Sequence, residues 1–140
     1  MNNSKITIET TISADSKKVW DYYTKPEHIT KWNFASDDWH CPRAENDLRV
    51  GGKFSSRMEA KDGSFGFDFE GIYDEVIEYK NIAYSITDGR QAITNFEQFG
   101  DKTKVTTSFD PEKENPVEMQ RNGWQAILNN FKKYVETNNE

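Results

Sequence analysis

Cysteine is nearly absent from this 140-residue chain: Cys41 stands alone, so no disulfide can close within it, and a reducing, cytoplasmic setting is expected. Histidine is almost as scarce. His28 and His40 are the only two, and neither has a second His or Cys at the spacing of a tetrahedral site, so no metal and no cofactor is expected. Positive charge is also short. The net charge of −6 is the wrong sign for nucleic-acid binding, which runs on clustered Lys and Arg, and for adhesion to anionic membrane surfaces. No apolar run approaches the length of a membrane span, so no membrane insertion is expected, and Met1 to Ile6 carries no signal-like stretch. Internal repeats, low-complexity tracts and a Gly-x-Ser-x-Gly nucleophile elbow are missing as well.

What is present is aromatic. The chain is hydrophilic on average yet holds 4 Trp, 6 Tyr and 9 Phe, a ratio that implies a core or cavity built more from rings than from aliphatic side chains. Its length is that of one domain, here 1–140, able to bury roughly 70% of its unfolded surface. Near the C-terminus, Met119, Trp124, Ile127, Leu128, Phe131, Tyr134 and Val135 recur at gaps that put one broad stripe on a helix spanning Asn115 to Val135. Asn115 is the candidate N-cap, with Pro116 in the first helical position.

The rest of the chain reads as short helices and strands. Ile6, Ile8, Thr10 and Ile12 alternate with polar residues as in a half-buried strand. Ser13 or Asp15 can cap a helix through Val19, Trp20, Tyr22 and Tyr23, and Lys25-Pro26 ends it, because a residue before proline leaves the α region. Pro26 to Trp32 forms a second short helix, and 33–43 reads as irregular. Strands follow at 45–50, 53–60, 65–77, 81–87, 91–99 and 104–109, with turns at Gly51-Gly52 and Asp62-Gly63. The long helix then needs the apolar face of this sheet to cover, and the space between them is a natural pocket.

Several motifs match a known family. Val19-Trp20-Asp21, Lys25-Pro26-Glu27-His28-Ile29 with Trp32, Asp47-Leu48-Arg49-Val50-Gly51-Gly52-Lys53-Phe54 with Met58, Asp62-Gly63, Glu70-Gly71-Ile72-Tyr73 and Gly123-Trp124 fall in register across residues 5–136. With them the chain resembles the START-like (SRPBCC, Bet v-like) superfamily, in the AHSA-type branch related to the C-terminal domain of the heat-shock protein 90 ATPase activator. The resemblance implies an α+β helix-grip fold, β-α-α-β6-α, in which a curved antiparallel seven-stranded sheet wraps a long C-terminal helix around an internal cavity. It also implies that such a cavity often holds a lipid-like or aromatic small molecule. Asn33 stands where many relatives carry a second Trp, which makes the pocket mouth more polar here.

The rings support two readings, filling of the core or lining of a cavity. On the second, the expected ligand-binding residues are Phe54, Met58, Phe67, Phe69, Tyr84, Phe96, Met119 and Trp124, with Trp32, Phe34 and Trp39 at the mouth. No catalytic residue is nominated. His40 and Cys41 are adjacent without a third partner, and strand parity puts Asp68 and Glu70 opposite Phe67 and Phe69, where they can pair with Arg57 or Lys. His28 reads as a solvated helix residue. Three functions therefore stand: non-catalytic binding of a small hydrophobic or aromatic (lipid-like, polyketide-like) molecule, a chaperone-related protein-interaction module, and a cyclase or hydrolase acting on a cavity-bound substrate.

Overall fold

The computed structural model describes residues 5–137, so the reading of Met1 to Ser4 lies outside the described residues. Strand β1 (Ile6–Ile12) alternates as its pattern demands, with Ile6, Ile8 and Ile12 buried. Helix α1 (Ser16–Thr24) starts on Asp15, whose carboxylate accepts from Lys18 N–H at 2.9 Å. Proline 26 holds Lys25 in the extended region, which stops α1, and α2 (Pro26–Trp32) begins at once with that proline in its first turn.

The remaining strands are β2 (Trp39–His40), β3 (Ala44–Asn46), β4 (Lys53–Ala60), β5 (Gly66–Ile77), β6 (Asn81–Ile86), β7 (Gln91–Phe99) and β8 (Lys102–Phe109). All pairs are antiparallel, in the order β1-β8-β7-β6-β5-β4-β2, with β3 also on β4. The seven strands expected are there, joined by the two-residue β2 inside a segment read as irregular. A register shift between Tyr73 and Glu75 bends β5 and helps curl the sheet.

Strand β3 ends earlier than expected. Residues 47–50 fold into a turn instead of continuing to Val50, because Gly51 sits at φ +83 and a Cβ on Gly52 would collide with the Asp47 carbonyl. Asp47 and Arg49 do pair, at 3.0 Å, but across this turn.

Helix α3 (Val117–Thr137) fills the concave side. Its buried residues are Gln120, Leu128, Phe131 and Val135. Its polar side chains also seal the free edge of β1: Arg121 donates to Thr7 O at 3.0 Å, Gln125 donates to Glu9 O at 3.2 Å, and Glu136 accepts from Ser13 N–H at 2.9 Å. The helix start differs from expectation. Asn115 does not cap α3 through its side chain; that amide donates to Glu112 at 3.0 Å, while Gln120 Nε2 donates to the Asn115 and Glu112 carbonyls. No helix among the described residues is long and apolar enough to cross a membrane.

Candidate functional site

Between α3 and the sheet lies a cavity of about 330 Å³. Strand period two builds its floor. Phe54, Ser56 and Met58 of β4, Phe67, Phe69 and Tyr73 of β5, and Ile82 and Tyr84 of β6 project to the same side. Helix α3 supplies Gln120, Trp124, Ile127 and Leu128, one face at helical spacing. Tyr23 and Thr24 of α1 and Ile29, Trp32 and Asn33 close one end. Gly71 belongs to the floor by omission: a Cβ there would come within 2.7 Å of the Ser85 carbonyl oxygen and 2.8 Å of the Phe54 ring.

The rings are held edge to face. Phe54 meets Tyr84 at 4.8 Å and 73°, and Phe69 meets Trp124 at 6.2 Å and 84°. Trp124 turns its other side to Phe109 in a stack at 3.8 Å. Trp32 is pinned by its indole N–H on Tyr22 O at 2.9 Å, and its backbone carbonyl accepts from Asn130 at 2.8 Å.

Of the expected ligand-binding residues, the cavity wall unites Trp32, Phe54, Met58, Phe67, Phe69, Tyr84 and Trp124. Four fall elsewhere. Phe96 faces inward but lies under α1, edge-on to Trp20 at 5.3 Å and Tyr23 at 5.4 Å, in solid core. Met119 is 60% exposed, because Gln120, one residue on, occupies the buried line of α3 with Trp124. Phe34 and Trp39 are half-buried and off the wall; Trp39 gathers Phe65 and Phe67 at 6.0 and 6.2 Å into an outer aromatic cluster. Trp32, expected at the mouth, is buried at 5% exposure. Asn33, expected to make the mouth polar, does reach the wall.

Strand parity puts Tyr73 on the face of Phe67 and Phe69, and it joins them on the wall although it was not among the expected ligand-binding residues. Sequence reasoning missed Tyr23, Asn46, Arg90, Thr107 and Gln120. Gln120 could have been found one helical turn before Trp124; the others come from distant segments that only the fold brings together. Polar wall atoms are mostly engaged. Tyr73 donates to Asn46 Oδ1, Asn46 Nδ2 donates to Thr24 O at 2.6 Å, and Thr107 and Thr94 share a hydrogen bond of 2.9 Å. Burial raises the Tyr23, Tyr73 and Tyr84 phenols above their ordinary range, so all three are neutral hydroxyls.

The other candidates for chemistry face away. Cys41 is buried with its thiol near Arg43 O at 3.5 Å, and burial pushes its pKa up, away from the reactive thiolate. His40 turns to Glu59 at 3.4 Å. Asp68 lies 3.5 Å from Arg57, on the outer side as parity required. His28 is not simply solvated; it stacks on Tyr22 at 4.0 Å and meets the Tyr134 hydroxyl at 2.8 Å. Among the described residues no group of three His, Cys, Asp or Glu is placed to hold a metal ion.

Residues 13–136 match the family described as activator of Hsp90 ATPase homolog 1-like protein. An AHSA1-like protein from Aeromonas hydrophila superimposes with a TM-score of 0.90 at 41% identity, over 95% of this chain and 92% of that one. A Cytophaga hutchinsonii protein does so at 0.83 and 53% identity, again over 95% and 92%. A Nitrosomonas europaea protein at 17% identity, covering 98% and 97% with a TM-score of 0.83, shares the fold. No curated protein matches the chain significantly.

Proposed function

The chain belongs to the family of activator of Hsp90 ATPase homolog 1-like proteins, and from that premise we propose that it is a binding module. It holds a small hydrophobic or aromatic molecule between the sheet and α3 and carries out no reaction on it. Family membership alone is consistent with ligand-binding or chaperone-related roles and selects neither. The observation that carries the ligand reading is the wall itself. Its buried members, from Ile8 to Leu128, are neutral, and its ionisable members Glu45, Arg90 and Glu112 are all partly or fully exposed. Such a wall suits an apolar guest and offers no buried acid or base for turnover. A reducing, cytoplasmic setting belongs to the same reading, given the lone Cys41.

The test is an NMR titration of labelled protein with aromatic ketones, fatty acids and polycyclic hydrocarbons. Saturable shifts at Met58, Phe67 and Trp124 are expected; no saturable shift from any compound overturns the reading. One observation favours a protein partner as second reading. Phe65 and Phe67, with Trp39, form an aromatic cluster in which the two Phe are 61% and 42% exposed. That reading predicts that Phe65→Ser abolishes capture of a chaperone while leaving small-molecule binding intact.

A further inference from the structure

Of the three phenols on the cavity wall, one hydroxyl is left over. Tyr84 is 8% exposed, and Phe54, Phe69 and Tyr73 crowd its ring from β4 and β5. On β6 it pairs with Tyr73 on one side and on the other with Ala92, which has no polar side-chain atom to offer it. Neighbouring hydroxyls have protein partners: Tyr73 uses Asn46, and Tyr23 reaches Thr94 at 3.5 Å. The Tyr84 hydroxyl makes no hydrogen bond to any described residue. It is also not sealed off, since Asn81 Oδ1 is the only fully enclosed side-chain polar atom without a partner among the described residues. A buried phenol left without an acceptor costs about 1–3 kcal/mol, so the occupant of the cavity is what can satisfy it.

The charge around the cavity narrows the occupant. Glu45, Glu112 and Arg90 are its ionisable wall residues, and Arg90 is already bound to Asp88 at 2.8 Å. That leaves the wall net negative, in a chain of net charge −6, which disfavours a carboxylate or phosphate guest.

We propose that the Tyr84 hydroxyl is the polar anchor of the site and that the ligand is a neutral, mainly apolar carbonyl compound whose oxygen accepts from it. The proposal rests on the ligand-binding reading above and deepens it. Phe54, Phe69 and Trp124 hold the apolar body, and Tyr84 sets its orientation. Discrimination arises because a guest without the oxygen leaves the phenol unpaired.

The experiment compares benzophenone, its carbonyl-free counterpart diphenylmethane, and 4-benzoylbenzoate, on the wild-type protein and on Tyr84→Phe, by NMR and tryptophan fluorescence. Wild type is expected to bind benzophenone about 5- to 10-fold more tightly than diphenylmethane, and more tightly than the carboxylate. Tyr84→Phe is expected to erase the first preference without lowering diphenylmethane affinity or thermal stability. Equal wild-type affinities for ketone and hydrocarbon, or a preference that survives in Tyr84→Phe, overturn the anchor and leave the binding reading standing. Preference for the carboxylate overturns the neutral class. Marked destabilisation of Tyr84→Phe overturns the premise that the hydroxyl has no protein partner. Binding of none of the three overturns the anchor; only silence from the wider panel above removes the binding reading with it.

Discussion

The same helix and the same sheet make two different interiors. Toward its C-terminal end, α3 lays Phe131 and Val135 into a contact where both have no exposure, and Ile12, Val19 and Val105 are equally closed off. Toward its N-terminal end it presents Gln120, Trp124 and Ile127 across the cavity to Phe54, Met58 and Phe69. In the first half Phe131 stands edge to face with Tyr23 and Trp32, and fully buried aliphatic side chains complete the packing of that core. In the second the rings of Phe54, Phe69, Tyr84 and Trp124 also meet edge to face, but the half-buried Trp124 and the polar Gln120 face them across a space that stays open. The difference teaches that the closed core and the open cavity occupy separate ends of one grip.

Deleting buried volume in the closed half gives the largest effect. Ile12→Ala removes a side chain of zero exposure from β1, and chemical denaturation should show a loss of about 2–5 kcal/mol. Ligand affinity should not move, since Ile12 is not on the cavity wall. Trp124→Ala is the matching cut in the open half. One face of the indole stacks on Phe109, and part of the residue fronts the cavity, so its loss should cost roughly 1–2 kcal/mol, below the range for fully packed rings. Its ligand affinity should fall at least about tenfold, as the loss of an aromatic anchor does. If Trp124→Ala cost as much stability as Ile12→Ala and left affinity untouched, the two halves would not differ.

Much of this division was readable in the chain and part was not. The alternation of Ile6, Ile8 and Ile12, the break at Pro26, the Asp62-Gly63 turn and the α3 stripe led to the elements found. Parity along β4 and β5 placed Phe54, Met58, Phe67 and Phe69 on the wall, because a strand has two faces and one is buried. Parity does not say how far along the grip a residue sits, which is why Phe96 was expected in the cavity and lies under α1 instead. Met119 failed for a related reason: one residue is about 100° on a helix, enough to move it from the buried line to solvent. A two-residue strand such as Trp39–His40 carries no period at all. At Leu48 and Val50 the alternation was real, but the glycines after them turn the chain back.

Glycine 123 sharpens the comparison with a gain instead of a loss. It lies inside α3, and no atom would come within 4 Å of an added Cβ, so the close helix–sheet approach that would require glycine is absent. Gly123→Ala should therefore stabilise the protein by up to about 1 kcal/mol through helix propensity alone. A loss of stability on thermal denaturation would mean that α3 needs flexibility at that point.

The smallest effect is set by pH at the end of the sheet beside the open half. Asp110 follows Phe109, the ring under Trp124, and its carboxylate accepts from Lys5 Nζ at 2.7 Å and from Gln91 N–H at 2.9 Å. Lys5 first, then the Gln91 amide, holds the Asp110 carboxyl below its ordinary value of 3.8. A carboxyl depressed in the folded state binds protons less readily than in the unfolded chain. Its contribution is thus complete above the unfolded value and is lost as pH falls through the folded one. With 28% of the side chain exposed, solvent screening keeps that contribution below about 1 kcal/mol. Stability measured from pH 7 down to pH 3 should show this increment in the wild type and not in Asp110→Asn. Hydrogen exchange at the lower pH should show the Gln91 amide loosening before those of Ile12 and Val105. Uniform loosening of all three would mean that the two ends of the grip respond to acid as one unit.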